Sequence, residues 1–257
     1  MSKLVFQARK ENMRNIRLVL EYDGSPFSGF QRQPRRPTIQ AALEGALTTL
    51  QNRKTKIQAA SGRTDAGVHA TYQVINFKTE NRLALDQMQR GLNSLLPKEI
   101  AVKEVSEVAL DFHARYQVAS KVYEYRIWND PVRSPLQGVR AWHCPEKLNL
   151  EMIRQGVSVL KGRHDFRSFC ASHGSAQNTV RTIKQFSVKK KGPLLLFRVE
   201  GDGFLYHMVR NLVGTLVDLG CGRFSVTELQ NILKARDRRR AGRAAPACGL
   251  TLVDVKY

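Results

Sequence analysis

The stretch Ser61 to Ala70, SGRTDAGVHA, holds the residue types of this chain best suited to chemistry. The carboxylate of Asp65 can act as a nucleophile or a base, and the nearby Arg63 can bind an anion. A loop held between two strands is a good support for such groups. The same letters also suit a plain turn, in which Asp65 bonds its own backbone and Gly67 takes a positive φ. Judged on local chemistry alone, the turn is favoured.

Two predicted strands flank this loop. Lys56 to Ala60 precedes it, and the run Val74-Ile75-Asn76-Phe77 follows it. An earlier strand, Ile16 to Tyr22, alternates apolar with mostly polar residues. Thr38 can cap a helix after that strand, and Met88, Leu92 and Leu95 indicate another helix. The first half therefore reads strand, helix, strand, strand, helix, strand.

The second half begins near Phe112 and again mixes strands with helices. Its predicted elements are a strand Val122 to Trp128, a helix carrying Leu150 to Leu160, a hairpin of Thr182–Val188 and Leu194–Glu200 joined by loop 189–193, a helix from Leu205 to Gly220, a helix capped by Ser225 and Glu228, and a strand Leu250 to Tyr257.

This pattern predicts an α+β protein. We expect two similar ferredoxin-like or RRM-like subdomains, 1–112 and 113–257, that share a continuous antiparallel sheet. The likeness of the halves suggests a weak internal duplication, although no repeat is visible residue by residue. The polar segment Met1 to Asn15 is expected to be a loose end.

The charge balance predicts a polyanionic partner. The chain has 257 residues, with 42 Lys and Arg against 22 Asp and Glu, a net charge of +20. Such an excess favours nucleic acid. Candidate contacts to an RNA backbone are Arg32, Arg35 and Arg36 in one loop, Arg63, Lys121, Lys189 to Lys191, and Arg236, Arg238, Arg239, Arg240 and Arg243. A single charge in such a run is more often simply solvated.

Other classes of protein fit poorly. The four cysteines, Cys144, Cys170, Cys221 and Cys248, lack the spacing of zinc ligands or of a redox dithiol. No acidic cluster suited to Mg²⁺ is evident, so we expect neither a metal nor a cofactor. No apolar run approaches the ~18 residues of a membrane span, and no leader segment is apparent, so a cytoplasmic protein is expected.

Several motifs together resemble the TruA family of tRNA pseudouridine synthases. The loop Gly62-Arg63-Thr64-Asp65-Ala66-Gly67-Val68-His69-Ala70 is similar to the family's catalytic loop. The other similar segments, in the family's order, are YDGSPFSGFQRQ from Tyr22, FHAR from Phe112, SKVYEY from Ser120, FLYHMVR from Phe204, VGTL from Val213 and AAPACGL from Ala244. Ordered motifs spanning residues 16 to 255 outweigh the interpretation of Asp65 as a turn residue only.

The resemblance implies roles for individual residues. Asp65 would start cleavage of the N-glycosidic bond of a uridine, whose uracil is then turned over and rejoined through carbon 5. Since burial raises the pKa of an aspartate, a cation is needed to keep it ionised, and Arg210 matches that cation. Tyr123 would support the extruded base with its ring, Leu250 would line the base pocket, and Arg63 would bind the substrate.

The resemblance also implies a substrate and an assembly. Family members act on uridines 38, 39 and 40 of the tRNA anticodon arm, without a cofactor, as homodimers. A stacked uridine must be extruded before it can react. The implied fold is the pseudouridine synthase fold, with Asp65 and its partners in a basic cleft between the halves.

Three alternatives stay open at this point. A non-enzymatic RNA-binding protein would explain the charge, although not Asp65 together with Arg210. A sister enzyme of the same chemistry could act at another RNA position. A metal-dependent nuclease is disfavoured because its acidic ligands are missing.

Overall fold

The structure is a computed structural model that describes residues 13–171 and 177–257. Its residues form two compact units, one reaching to Val118 and including Tyr257, the other Ala119–Lys256. Residues 1–12 of the predicted loose end, Met1 to Asn15, lie outside the described residues, but the prediction was wrong for Arg14 and Asn15, which begin the first strand.

Where it is described, the first unit is a sheet accompanied by two helices. Its elements are β1 (Arg14–Tyr22), α1 (Ile39–Gln51), β2 (Ala59–Ala60), β3 (His69–Thr79), α2 (Leu85–Leu95) and β4 (Ile100–Val108). β1 lies between β3 and β4 and pairs with both in antiparallel fashion, and β2 pairs with β3. The predicted order of elements is confirmed.

The core of the first unit follows the predicted periodicity. Ile16, Leu18 and Leu20 of β1 are fully buried, as are Leu43 of α1 and Met88 of α2. Val19 is also buried, although the alternation of β1 places it on the other face of the strand. The central strand of this unit is therefore covered on both faces at its middle.

In the described residues, the second unit has a larger, mostly antiparallel sheet, in which the short strand Trp142–His143 alone pairs in parallel, together with three α-helices. Its elements are β5 (Ser120–Trp128), β6 (Trp142–His143), α3 (Leu150–Leu160), β7 (Gly162–Asp165), β8 (Val180–Lys191), β9 (Leu194–Gly201), α4 (Met208–Gly220), α5 (Val226–Ala235) and β10 (Leu250–Lys256). The strand order is β10, β5, β9, β8, β7. Both units thus mix sheet and helix, which confirms the α+β class.

Helix α4 forms the centre of the second unit. Twelve of its 13 residues are buried, including the polar Asn211, Thr215 and Asp218. A helix that is apolar nearly all round must be enclosed by its neighbours, and α3 packs against it. No helix in the described ranges is long and apolar enough to cross a membrane.

Several predicted boundaries were wrong. β8 runs through Lys189 to Lys191, so the hairpin turns at Gly192 and Pro193 alone, with Gly192 at φ +58°. Helix α4 begins at Met208 rather than Leu205, because His207 has left-handed backbone at φ +59°. The strand predicted over Lys56 to Ala60 is present only at Ala59–Ala60, although Gln58 N still donates to the Asn76 carbonyl oxygen at 2.9 Å.

Both predicted helix caps are present. The side chain of Thr38 accepts a hydrogen bond from the backbone N–H of Ala41 at the start of α1. At the start of α5, Ser225 Oγ accepts from Glu228 N at 3.1 Å, and a Glu228 carboxylate oxygen accepts from Ser225 N at 2.7 Å. This reciprocal pair lowers the pKa of the Glu228 carboxyl, with the backbone hydrogen bond from Ser225 as the largest cause.

We expect Ser225→Ala to lower the free energy of unfolding by about 1 kcal/mol, because it removes one side of this capping box. Urea denaturation measures the change. Thr227→Ala is the matched control, since Thr227 is an exposed residue in the first turn of the same helix. Equal stability of Ser225→Ala and the parent would show that the box contributes nothing.

Candidate active site

The predicted site residues are distributed over both units. Arg32, Arg35, Arg36, Arg63 and Asp65 belong to the first unit, and Lys121, Tyr123, Arg210 and Leu250 to the second.

Asp65 is the first residue of a tight turn in the stretch Ser61 to Ala70. Its carbonyl oxygen accepts a hydrogen bond from Val68 N at 3.1 Å, and Gly67 has φ +75°. A positive φ at the third residue of such a turn is the position at which glycine is favoured. The turn is formed by the backbone of Asp65. A structural role for this backbone is therefore compatible with a chemical role for the carboxylate. The side chain is half-buried.

The Asp65 loop lies directly against another stretch of backbone. A Cβ on Gly24 would lie 2.0 Å from the Val68 carbonyl oxygen, and one on Gly29 would lie 3.0 Å from the Thr64 carbonyl oxygen. Phe30 N donates to that same Thr64 oxygen at 3.0 Å. The segment Asp23 to Phe30 therefore packs backbone to backbone on the loop, and glycine is what permits this approach.

A buried polar network supports the loop from the sheet. The hydroxyl groups of Tyr22 and Thr64 are hydrogen-bonded at 2.8 Å, and Gln73 Nε2 donates to the Gly62 carbonyl oxygen at 2.9 Å. Ser61 Oγ donates to Gln73 Oε1. Burial raises the pKa of Tyr22 to about 12, so its phenol stays protonated at neutral pH. The loop is thus fixed at Gly62 and Thr64, on the approach to Asp65.

His69 joins the two packed segments at the end of the loop. It is buried, and its Nδ1 lies 3.2 Å from Gly24 N and 3.1 Å from Asp23 Oδ1. A backbone N–H can only donate, so the bond with Gly24 requires His69 Nδ1 to be an acceptor. A hydrogen bond to Asp23 requires a proton on the same atom, which makes the two bonds alternatives. The ring with its proton on Nε2 accepts from Gly24, whereas the ring with a proton on Nδ1 donates to Asp23.

The basic residues of the first unit differ in their surroundings. Arg32 is 57% exposed at its side chain but pairs with the buried Glu44 at 3.0 Å. Arg35 has φ +55° in the tight turn between Gln33 and Arg36. Arg35, Arg36 and Arg63 are all exposed. These three residues can reach a large anion, whereas Arg32 must share its charge with Glu44.

Arg210 is the one residue of α4 that is not buried. Its Nε donates to the Ala245 carbonyl oxygen at 2.8 Å, and Ala245 N donates back to the Arg210 carbonyl oxygen at 3.0 Å. The guanidinium is therefore held at one edge by the segment before β10, and the enclosed helix fixes its backbone. A side chain held in this way is pre-organised.

The segment before β10 lies against α4 through two more glycines. A Cβ on Gly214 would lie 1.8 Å from the Arg243 carbonyl oxygen, and one on Gly242 would lie 2.4 Å from a carboxylate oxygen of Asp218. Gly242 N donates to Thr215 Oγ1 at 3.0 Å and Arg243 N donates to Asp218 at 3.2 Å. The motifs around Gly214 and Ala245 therefore form one packed structure that carries Arg210.

Tyr123 and Leu250 lie on neighbouring strands of the second sheet. Tyr123 is buried on β5, with its ring 5.1 Å from that of Phe204 at 88°. Leu250 is buried at the start of β10 and is paired with Tyr125, two residues along β5. The phenol of Tyr125 donates to the Pro246 carbonyl oxygen at 2.7 Å, and burial raises its pKa far above the ordinary range. These contacts fix the strands on which both predicted substrate-binding residues lie.

Most of the basic run before β10 has intramolecular partners. Arg236 pairs with Asp165 at 3.0 Å, Arg239 pairs with Asp237 at 2.8 Å, and Arg243 contacts Glu146 at 3.4 Å and the ring of Trp142 at 4.8 Å. Arg238 donates to Asn211 at 3.0 Å, and burial lowers its pKa. Hydrogen bonds from Arg239 lower the pKa of Asp237 to about 2. Much of this charge therefore stabilises the unit itself, while Lys189 to Lys191 remain exposed on β8.

The supporting residues were not singled out from the sequence. Gln73, Thr64, Glu44 and Asn211 are buried polar residues, and each has a hydrogen-bond or ion-pair partner outside its own element. Their only signal in the sequence is a polar residue at a position that the apolar periodicity would bury. Among residues 13–171 and 177–257, no three His, Cys, Asp or Glu side chains are grouped as metal ligands would be.

Comparison with known proteins defines the class. The family model described as tRNA pseudouridine synthase matches residues 18–117 and 157–257. The chain is 43% identical to tRNA pseudouridine synthase A of Acetivibrio thermocellus over 95% of this chain and 100% of that protein. The proteins of the same name from Geobacter sp. strain M21 and Geobacillus kaustophilus are also 43% identical, over 95% of this chain and 99% and 95% of theirs.

The chain therefore belongs to the tRNA pseudouridine synthase family and is an isomerase. A solved Cbf5-Nop10-Gar1 complex contains a chain with 13% identity and a TM-score of 0.39, covering 93% of this chain and 48% of that one. So distant a likeness adds nothing to the assignment.

We expect Gly24→Ala to lower both stability and pseudouridine formation, because its methyl group would overlap the Val68 carbonyl and displace the Asp65 loop. Overpacking of this kind costs about 1–3 kcal/mol, measurable by urea denaturation beside a tRNA activity assay. Gly45→Ala is the matched control, since a Cβ there meets nothing within 4 Å and alanine favours the helix. Parental stability and activity in Gly24→Ala would contradict the close packing.

Proposed function

We propose that this chain converts uridine to pseudouridine at positions 38, 39 and 40 of the tRNA anticodon stem-loop, with Asp65 as the residue that initiates cleavage. Family membership supports the reaction. The observation that carries the role of Asp65 is the built loop around it. The turn uses the carbonyl of Asp65, and the flanking Thr64 and Val68 are packed against another backbone segment.

The reaction is an isomerisation and its atoms balance within the substrate. The bond between N1 of uracil and C1′ of ribose breaks, the base turns over, and a bond between C5 and C1′ forms. The proton leaves C5 and a proton is gained at N1. Since nothing is added or removed overall, the reaction consumes no co-substrate. The aspartate needs to be ionised and precisely placed, which suits a loop fixed on both sides.

The other site residues are assigned on the family resemblance and on their surroundings. Arg210 is proposed as the second catalytic residue, because its guanidinium is held at one edge by Ala245. Tyr123 and Leu250 are proposed to contact the extruded base, for which an aromatic face and an apolar wall are suitable. Arg63, which is exposed two residues before Asp65, is proposed to bind the substrate.

The RNA backbone is proposed to be bound by Arg32, Arg35, Arg36 and Lys121. In this proposal the N-terminal subdomain, 1–112, carries the catalytic aspartate, and the C-terminal subdomain, 113–257, supplies the other catalytic residues.

By the same resemblance the enzyme is a homodimer that acts on tRNA in the cytoplasm. Light scattering at micromolar concentration tests the homodimer, and a monomer with full activity would exclude it.

One experiment tests the central proposal. Purified protein is incubated with an unmodified tRNA transcript, without added metal or nucleotide, and pseudouridine is mapped along the RNA. We expect it at positions 38, 39 and 40. Modification elsewhere would identify an enzyme for another RNA position, and tight binding without any pseudouridine would identify a non-enzymatic RNA-binding protein.

We expect Asp65→Asn to reduce single-turnover pseudouridine formation below detection, because it removes the charged nucleophile while keeping the size of the side chain. Affinity for tRNA should be unchanged or slightly higher, since a negative charge near a polyanion is lost. Asp86→Asn, which removes an exposed carboxylate on α2, is the control and should keep full activity. Normal turnover by Asp65→Asn would end the proposed mechanism.

We expect Arg210→Ala and Arg210→Lys both to slow the single-turnover rate at saturating tRNA by about a hundredfold or more. Lysine keeps the charge but lacks the planar guanidinium. It therefore cannot donate from one edge to the Ala245 carbonyl oxygen while its other N–H groups stay available to the substrate. Arg154→Ala on α3 is the helical control, because its exposed guanidinium makes only a long pair with Glu151 at 3.7 Å. A parental rate for Arg210→Ala would remove this residue from the reaction.

A further inference from the structure

A single helical turn after Phe112 presents an exposed aromatic ring. His113 to Gln117 form the turn, with Gln117 N donating to the His113 carbonyl oxygen at 3.3 Å. Tyr116 lies on it with 75% of its surface exposed. Its ring stacks on the imidazole of His113, with centroids 4.3 Å apart and planes 21° from parallel. We call this pair the His113–Tyr116 stack.

The imidazole beneath Tyr116 is fixed in place. His113 Nδ1 accepts from the backbone N–H groups of Arg115 and Tyr116, each at 3.3 Å. This pattern requires the neutral ring to carry its proton on Nε2. The Gln117 side chain accepts from His113 N at 3.1 Å and closes the turn from the other end. The orientation of the stack is therefore set by backbone groups.

Hydrogen bonds anchor the turn to the rest of the first unit. Asn76 Oδ1 accepts from Ala114 N at 3.0 Å, and Tyr257 donates its phenol proton to the Ala114 carbonyl oxygen at 2.8 Å. Asn15 Nδ2 donates to the Phe112 carbonyl oxygen at 2.9 Å. Asn15, Asn76 and Ala114 are fully buried. A rigid buried base thus carries an aromatic ring that is itself left in solvent.

Folding alone does not account for this arrangement. An aromatic side chain stabilises a fold by burying its surface, and Tyr116 leaves three quarters of its surface exposed. A ring with one face on a fixed support and its remaining surface in solvent can receive a second planar group. The Arg115 guanidinium carbon lies over the Tyr116 ring, 5.8 Å from its centroid, and so places a positive charge where a base and its phosphate would bind.

We propose that the His113–Tyr116 stack is a binding site for an unpaired base of the tRNA, which stacks on Tyr116 while Arg115 binds the adjoining phosphate. The proposal rests on the proposed function only in taking tRNA as the ligand. RNA is favoured over a protein partner by the net charge of +20 and by the cation at the ring. Stacking on an aromatic ring tolerates any base, so the site adds affinity rather than sequence selectivity.

The test is the dissociation constant for an unmodified tRNA transcript. Tyr116→Ala should weaken binding by about five- to a hundredfold, the range for loss of one stacked base. Tyr116→Phe should stay within about twofold of the parent, because it keeps the ring. Leu136→Ala, which removes an 89% exposed apolar side chain from the second unit, is the control and should not change the affinity.

Two further readouts separate stacking from charge. Tyr116→Ala should leave the slope of log affinity against log salt unchanged, whereas Arg115→Ala should lower its magnitude by about one phosphate contact. In Tyr116→Trp, added tRNA should quench more fluorescence than in the parent, which has Trp128 and Trp142.

Three outcomes would overturn the inference. Parental affinity for Tyr116→Ala would do so, and so would equal losses in Tyr116→Ala and Tyr116→Phe. A monomer–dimer shift in Tyr116→Ala, seen by light scattering, would assign the ring to a contact with a second copy. If the parent binds tRNA but forms no pseudouridine, the proposed function fails while the stacking site remains testable.

Discussion

The close contact between Gly24 and the carbonyl of Val68 is the constraint on which the first unit's chemistry depends. Backbone can lie on backbone at this distance only where no Cβ intervenes. The contact leaves the Asp65 loop with one shape, because the turn at Gly67, the Thr64 carbonyl and the Gly62 carbonyl are all held by other groups. A carboxylate on such a loop is attached to a backbone that is fixed on both sides.

The second unit solves the same problem with a helix. Arg210 projects from a helix whose other residues are all buried, so it cannot shift without moving the core. Gly214 and Gly242 allow the segment before β10 to pack closely on α4, and this packing places Ala245 against the guanidinium. Both units therefore use glycine to place a charged side chain through backbone packing.

Features that depend on local chemistry could be predicted from the sequence. The caps at Thr38 and Ser225 follow from side chains next to the helix start, and β1 follows from its alternation. The sequence predicts too short a strand for β8, because Lys189 to Lys191 are exposed and resemble a loop. In the structure these three lysines pair with β9. The start of α4 was misplaced because apolar periodicity cannot reveal the left-handed residue His207. The contacts of Tyr22 with Thr64 and of Asp218 with Arg243 depend on long-range packing, which no local pattern encodes.

The buried polar residues of α4 also determine how this helix can be assembled. Asn211, Thr215 and Asp218 each meet a specific donor or acceptor in the segment from Arg238 to Arg243. If the helix slid by one turn, these groups would lose their partners while still enclosed, and each unsatisfied group would cost about 1–3 kcal/mol. An all-apolar helix would have several nearly equivalent positions in the same core. Polarity at its centre gives α4 a single register, and with it a single direction for the guanidinium it carries.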